Sequence, residues 1–238
     1  MSKLIIANWK MNPDSLAEAL ALAKACDKNG VVLAPPFPFI LPVARALKQA
    51  ELGAQDCATK EQGAFTGEVS VLQLKDCGVK YVIVGHSERR QLFQENDIII
   101  GEKLRACLGA DLIPVLCLGE TLKQRKGKKA KQVVRAQLNG ALKVLTENYQ
   151  LKLFYVVYEP AWAIGTGLAE TPQGASEMIS YIYSLLKNAY KISNPRVLYG
   201  GSVSRDNARA FLNQKEVNGL LVGGASLKVE DFLRIISD

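Results

Sequence analysis

Glu159 ends an apolar run, Val156-Val157-Tyr158, and is followed by Pro160-Ala161-Trp162-Ala163-Ile164-Gly165-Thr166-Gly167. A proline has no N–H and stops a strand ladder. Glycines let the backbone approach a ligand or take unusual dihedral angles. This is the layout of an acid or base beside a mobile lid, and equally of a βα loop that begins with glutamate; the loop alone does not choose. His86, in Gly85-His86-Ser87-Glu88-Arg89-Arg90, is the only histidine, which excludes HExxH and multi-histidine metal sites. A lone histidine is more often structural. This one follows an apolar run at a helix start, where the dipole disfavours the imidazolium. A neutral imidazole there can donate a hydrogen bond to an oxygen that becomes anionic. Lys10, in Asn8-Trp9-Lys10, follows the run Lys3–Asn8. A surface lysine is the plain alternative; so short a connection favours an ammonium aimed into a cleft, with Asn8 orienting it or donating directly. Gly200-Gly201-Ser202 and Gly223-Gly224 offer backbone N–H groups to a phosphate, and Gly165 adds a third donor if the lid closes. One carboxylate, one cation, one imidazole and a phosphate cradle suit removal of a carbon-bound proton next to a carbonyl, with Lys10 and His86 stabilising the enediolate. Glu88 and the arginines are expected to form ion pairs that hold the site.

These residues need a scaffold that gathers distant segments. Strands are expected at Lys3–Asn8, Val31–Ala34, Leu52–Gln55, Tyr81–Val84, Leu112–Leu118, Leu153–Tyr158, Arg196–Tyr199 and Gly219–Val222. Helices are expected after the Ser15-x-x-Glu18 capping pattern, over Phe39–Gln49, Val71–Cys77, Asp97–Leu108, Lys131–Asn148, from Pro172 to about Tyr190, over Asp206–Leu212 and over Val229–Ile236. Near-continuous apolar strands alternating with helices indicate a parallel sheet covered by helices. The repetition favours one α/β domain, a single (β/α)8 barrel over residues 1–238, whose carboxyl-end loops build active sites. A doubly wound open sheet is the competitor, but no G-x-G-x-x-G follows the first strand and no P-loop motif occurs.

Composition narrows the partners. No apolar run is long enough for a membrane span and the N-terminus does not read as a signal peptide, so a cytoplasmic location without a membrane partner is expected. The 5 cysteines are widely spaced without CxxC, which argues against disulfides or a thiolate metal site. The net charge is +7, and six of the basic residues lie in Lys123–Lys131; without that run the balance falls to about +1. No aromatics interleave with the run to stack on bases, so a solvated surface is expected and no nucleic-acid partner.

Five segments resemble the triosephosphate isomerase family in order along nearly the whole chain: Ala7–Asn12, Gly85–Arg90, Tyr158–Gly167, Tyr199–Val203 and Leu221–Leu227. The resemblance implies interconversion of dihydroxyacetone phosphate and D-glyceraldehyde 3-phosphate in glycolysis and gluconeogenesis, with no metal and no cofactor. It implies Glu159 as base, His86 as electrophile, and Lys10 with Asn8 as electrostatic support. Gly165, Ser202, Gly223 and Gly224 would hold the phosphate. The pairing of a glutamate base with a neutral histidine and a closing loop is what this family is known for, so those roles are carried over rather than read from spacing. The loop after the third strand is similar to an arm that reaches a partner subunit. A homodimer is implied, with Gln55 and Thr66 near the interface and the site. Cys117 matches a family cysteine and reads as packing. The chain departs from the family at Leu168, usually lysine, Ala161, often valine, Asp56, usually asparagine, and Asn218, usually aspartate. Rival readings are another phosphate-binding barrel, a silent barrel used as scaffold, and a basic-patch binder.

Overall fold

The computed structural model describes residues 3–145, 153–165 and 168–237. Eight short strands close into one parallel barrel in sequence order, β1 pairing with both β2 and β8. They are β1 Leu4–Asn8, β2 Val31–Ala34, β3 Glu51–Ala54, β4 Tyr81–Val84, β5 Ile113–Leu118, β6 Tyr155–Tyr158, β7 Val197–Tyr199 and β8 Gly219–Val222. The helices are α1 Leu16–Cys26, α2 Ile40–Ala46, α3 Val71–Asp76, α4 Ser87–Leu92, α5 Asp97–Gly109, α6 Leu122–Lys126, α7 Ala130–Leu142, α8 Pro172–Asn188, α9 Ala208–Leu212 and α10 Val229–Ile236. The expected (β/α)8 architecture is therefore the observed one.

Side-chain alternation along each strand divides the core in two. Ile6, Val32, Ile83, Val115, Val157 and Leu221 point to the barrel axis and pack on each other. Their neighbours, among them Ile5, Ala7, Leu33, Leu116, Val156 and Tyr158, pack beneath the helices. Residues buried on both faces must be apolar on both, which is why the strands carry no polar alternation.

Element ends differ from the sequence expectation where local hydrogen bonding intervenes. Helix α2 stops at Ala46 because the Asp27 carboxylate takes the N–H groups of Lys48, Gln49 and Ala50 at 2.7–2.9 Å. Helix α4 follows β4 at once and precedes α5, so this connection holds two helices. A short α6 lies inside the basic run, started by a capping box between Thr121 and Gln124. Helix α7 ends its regular hydrogen bonding at Leu142, and the expected extension over 146–148 lies outside the described residues.

Candidate active site

The alternation that builds the barrel interior also chooses what caps it. In β1 the inward residue is Ile6, so the next inward position is Asn8. In β6 it is Val157, then Glu159; in β8 it is Leu221, then Gly223; in β7 it is Leu198, then Gly200. In β3 a side chain on Gly53 would run into Val32 at 2.9 Å, so Gly53 faces inward and Gln55 follows it. Five strands thus deliver one residue each to the carboxyl end of the barrel axis.

Glu159 and His86 form a buried pair, 3% and 5% exposed. Glu159 Oε1 lies 2.9 Å from His86 Nε2, and Oε2 accepts the Ser87 backbone N–H at 2.9 Å. His86 caps α4, its Nδ1 accepting the Glu88 N–H at 3.3 Å. A nitrogen that accepts carries no proton, so the neutral imidazole here has its hydrogen on Nε2, facing the carboxylate. Burial works against the imidazolium, but the charge and hydrogen bond of Glu159, with the charge of Glu88, outweigh it. The pKa of His86 is therefore raised while Glu159 faces it; Lys10 opposes. Below Glu159, burial pushes the Cys117 thiol well above its usual range, in keeping with packing rather than nucleophilic chemistry.

Lys10 sits in the left-handed region, φ +53°. That conformation is uncommon for a residue with a side chain and persists when neighbours hold it. Two inward residues do so. Asn8 Oδ1 accepts the Lys10 N–H at 3.0 Å, and Gln55 Nε2 donates to the Lys10 carbonyl at 2.7 Å and to that of Ala34 at 2.9 Å. The ammonium pairs with Glu88 and its Cε lies 3.4 Å from where a side chain on Gly223 would begin. Lysine and glycine loop thus share one corner.

A cavity of about 360 Å³ opens over these groups. Asn8, Lys10, His86, Glu159, Gly165, Ser202, Gly223 and Gly224, all singled out from the sequence, line it. Gly165 is in the left-handed region at φ +69°, and the 3₁₀ turn Gly224–Leu227 starts at the cavity wall. Gln55 reaches the cavity only through Lys10, and Thr66 is exposed on the arm, away from this wall. Thr166 and Gly167 lie outside the described residues.

The sequence reading missed the hub that holds the ends of the segment expected to be a lid. Glu120 is fully buried and accepts from Trp162 Nε1 at 2.9 Å, from Tyr158 Oη at 3.2 Å and from Arg125 at 3.1 Å. Arg125 also pairs with Glu170 and lies over the Trp162 ring, 4.8 Å from its centre. Both ends of the Pro160–Glu170 segment therefore meet at one carboxylate–guanidinium cluster. A buried carboxylate accepting an indole N–H is invisible in a linear reading, because its partners come from three separate elements. The expected ion pairs do form: Glu88 with Lys10, Arg90 with Asp97 at 2.6 Å, and Arg89 with Asp56 and Glu95 at 2.9 and 2.5 Å. Asn218, one of the departures, accepts from the Val197 N–H at 2.8 Å and from the Tyr183 hydroxyl, so it keeps an oxygen acceptor without the charge.

The family model described as triosephosphate isomerase matches residues 3–238. Curated relatives named triosephosphate isomerase include a chain from Caldanaerobacter subterraneus subsp. tengcongensis, 43% identical over 98% of both chains. One from Vesicomyosocius okutanii is 42% identical over 99% of this chain and 98% of its own, and one from Aquifex aeolicus is 39% identical over 99% of each.

Proposed function

The chain belongs to the triosephosphate isomerase family and interconverts dihydroxyacetone phosphate and D-glyceraldehyde 3-phosphate, a step of glycolysis; we propose that Glu159 is the base that moves the proton. The observation that carries the assignment is a buried carboxylate 2.9 Å from a neutral-capable imidazole, at the wall of a cavity shared with Lys10 and Gly223.

Glu159 turns from His86 to the substrate, takes the proton from the carbon beside the carbonyl, and returns it to the neighbouring carbon. Between the two transfers the substrate is an enediolate. The Lys10 ammonium and the Nε2–H of His86 meet its oxygens, His86 giving its Nε2 proton to the former carbonyl oxygen and taking the hydroxyl proton from the other, and Asn8 holds Lys10 in its left-handed conformation. Once Glu159 leaves Nε2, the largest influence raising the His86 pKa goes with it. Burial and Lys10 remain, and both favour the neutral donor. Backbone N–H groups of Gly165, Ser202, Gly223 and Gly224 take the phosphate, and closure of the lid removes water from the enediolate. The reaction so written needs no metal or cofactor.

The same reading treats residues 1–238 as one domain and the protein as cytoplasmic. It also makes the arm 56–69 part of a homodimer, with Thr66 brought to a second copy's site and Gln55 near the contact. Supporting this, Met11 is 90% exposed, and Phe65 and Phe93, 48% and 64% exposed, line one groove. Large apolar side chains so exposed favour burial against a second copy. Light scattering tests it: a mass of 26.0 kDa, that of a lone chain, contradicts the dimer.

The test of the chemistry is a coupled assay in both directions on wild type and Glu159→Gln. High wild-type activity that falls by about 10³ or more in the variant is expected, in line with the weight of a positioned base. A wild type inactive on both triose phosphates sinks the reading.

A further inference from the structure

Helix α7 buries Val134, Leu138 and Ala141 along one stripe, and half-buried Gln137 falls within it, three residues after Val134 and four before Ala141. A polar side chain in such a stripe needs partners. Gln137 has two, both on one residue outside its own helix. Its Oε1 accepts the Gly119 N–H at 2.8 Å, and its Nε2 donates to the Gly119 carbonyl at 3.0 Å. Only one orientation of the amide satisfies both.

Gly119 needs this partner because a neighbouring strand has run out. Strand β4 pairs with β5 only as far as Val84 and Leu116, three residues short of Gly119. The pairing of β5 with β6 continues past the ends of both strands. The Glu159 N–H donates to the Leu118 carbonyl at 2.7 Å, and the Ala161 N–H donates to that of Glu120 at 3.0 Å. The two segments touch backbone to backbone here. A side chain on Gly119 would begin 1.8 Å from the Glu159 carbonyl oxygen, so glycine is required. The same glycine is free to rotate its peptides unless something holds them.

We propose that Gln137 is a positioning residue for the isomerase reaction, acting on Glu159 through the Gly119 peptides. The link is the planarity of the peptide unit. The Gly119 N–H and the Leu118 carbonyl belong to one plane and point opposite ways. Holding the N–H therefore aims the carbonyl that takes the Glu159 N–H. The Gly119 carbonyl shares the next plane with the Glu120 N–H, so its bond to Gln137 steadies the residue whose carboxylate receives Trp162 and Arg125. One amide thus fixes the backbone of the base and the leading end of the lid, from outside the cavity. The inference rests on the reading of Glu159 as base.

The experiment compares wild type with Gln137→Met, which keeps the length of the side chain and removes both bonds, and with Gln137→Glu, which keeps an acceptor for the Gly119 N–H and loses the donor. Gln132→Met, at an exposed position of the same helix, is the control. Steady-state kinetics are referred to the folded fraction measured by urea unfolding. In Gln137→Met, kcat should fall by about 10–100-fold, the scale of a base displaced by about 1 Å. KM should stay within about twofold, because the proposed phosphate donors come from other loops. Gln137→Glu should lose less, and the control should match wild type. Nitrogen NMR supplies a reading that stability alone would not move. The His86 pKa is raised because Glu159 faces it, so in Gln137→Met it should fall towards its value in Glu159→Gln. If Gln137→Met does not fold, the same two readings on Gln137→Glu decide. A folded variant with wild-type kcat and wild-type His86 titration overturns the proposal, as does a rise in KM at constant kcat. If Glu159→Gln is inactive while the Gln137 variants behave like wild type, this inference alone falls. If Glu159→Gln stays active, the reading of the base falls and takes the inference with it.

Discussion

Two buried groups of charges, which meet in sequence only where His86 is followed by Arg89, are built on opposite principles. At the base of the arm, Lys103, Arg89, Asp56 and Glu95 form a closed square. Each cation touches both carboxylates, Lys103 at 2.7 and 2.6 Å and Arg89 at 2.9 and 2.5 Å. Three of the four are less than a tenth exposed, and the links join the arm, α4 and α5. At the barrel mouth Glu159 is buried just as deeply, yet no lysine or arginine among the described residues pairs with it. It has one backbone N–H and one imidazole N–H, and a cavity alongside. A group that meets every charge with two others holds structure together. A carboxylate with two exchangeable donors and space beside it can leave them.

The largest effect separating the two should come from Lys103→Met. It leaves Asp56 and Glu95 buried with only Arg89 between them, a loss on the order of 3–5 kcal/mol. Urea unfolding should show it, while kcat of the folded fraction stays near wild type. A small stability change with a large fall in kcat would erase the distinction. Lys10→Met is the mirror case. It should lower kcat/KM by about 10²–10³ through lost stabilisation of the enediolate oxygens, with the unfolding midpoint nearly unmoved. A substantial drop in stability would mean that Lys10 belongs to the structural class.

The third test is pH-dependent. Burial pushes the Asp56 carboxyl up to about 6, against the pull of Lys103. An acid raised on folding makes the native state bind more protons than the unfolded chain between about 4 and 6, so its contribution to stability falls as pH rises through that window. Asp56→Asn keeps an oxygen for Lys103 and removes this cost. Relative to wild type, whatever the offset at pH 4, its stability should improve by roughly 2 kcal/mol as the pH is raised from about 4 to 7. A pH-independent difference would contradict the assignment.

The barrel is legible from the chain because its strands are buried on both faces, which leaves long apolar runs with glycine and polar residues crowded after them. Asn8, Glu159 and Gly223 could be found from those crowded ends. Alternation strengthens each, since every one is two residues beyond an inward side chain. What sequence does not carry is anything set by a partner far along the chain. The left-handed Lys10 depends on Asn8 and Gln55, Glu120 depends on Tyr158, Arg125 and Trp162, and the buried thiols of Cys57 and Cys107, 3.6 Å apart, meet only because the loop after β3 packs against α5. Helix α4 was legible only as a start at His86, without an end, for a related reason: six residues are too few for a periodic pattern.

The mouth's exchangeable pairing can be read on one nucleus type, because His86 is the only imidazole in the chain. Nitrogen NMR of the imidazole across pH should find it titrating above 6.5 in the free protein, where Glu159 faces it. In Glu159→Gln it should titrate below 6.5, where burial dominates. With a dianionic enediolate analogue bound to wild type, the ring should stay neutral with its proton on Nε2. A histidine whose titration is the same in wild type and Glu159→Gln, or one that is an imidazolium in the complex, would contradict the account.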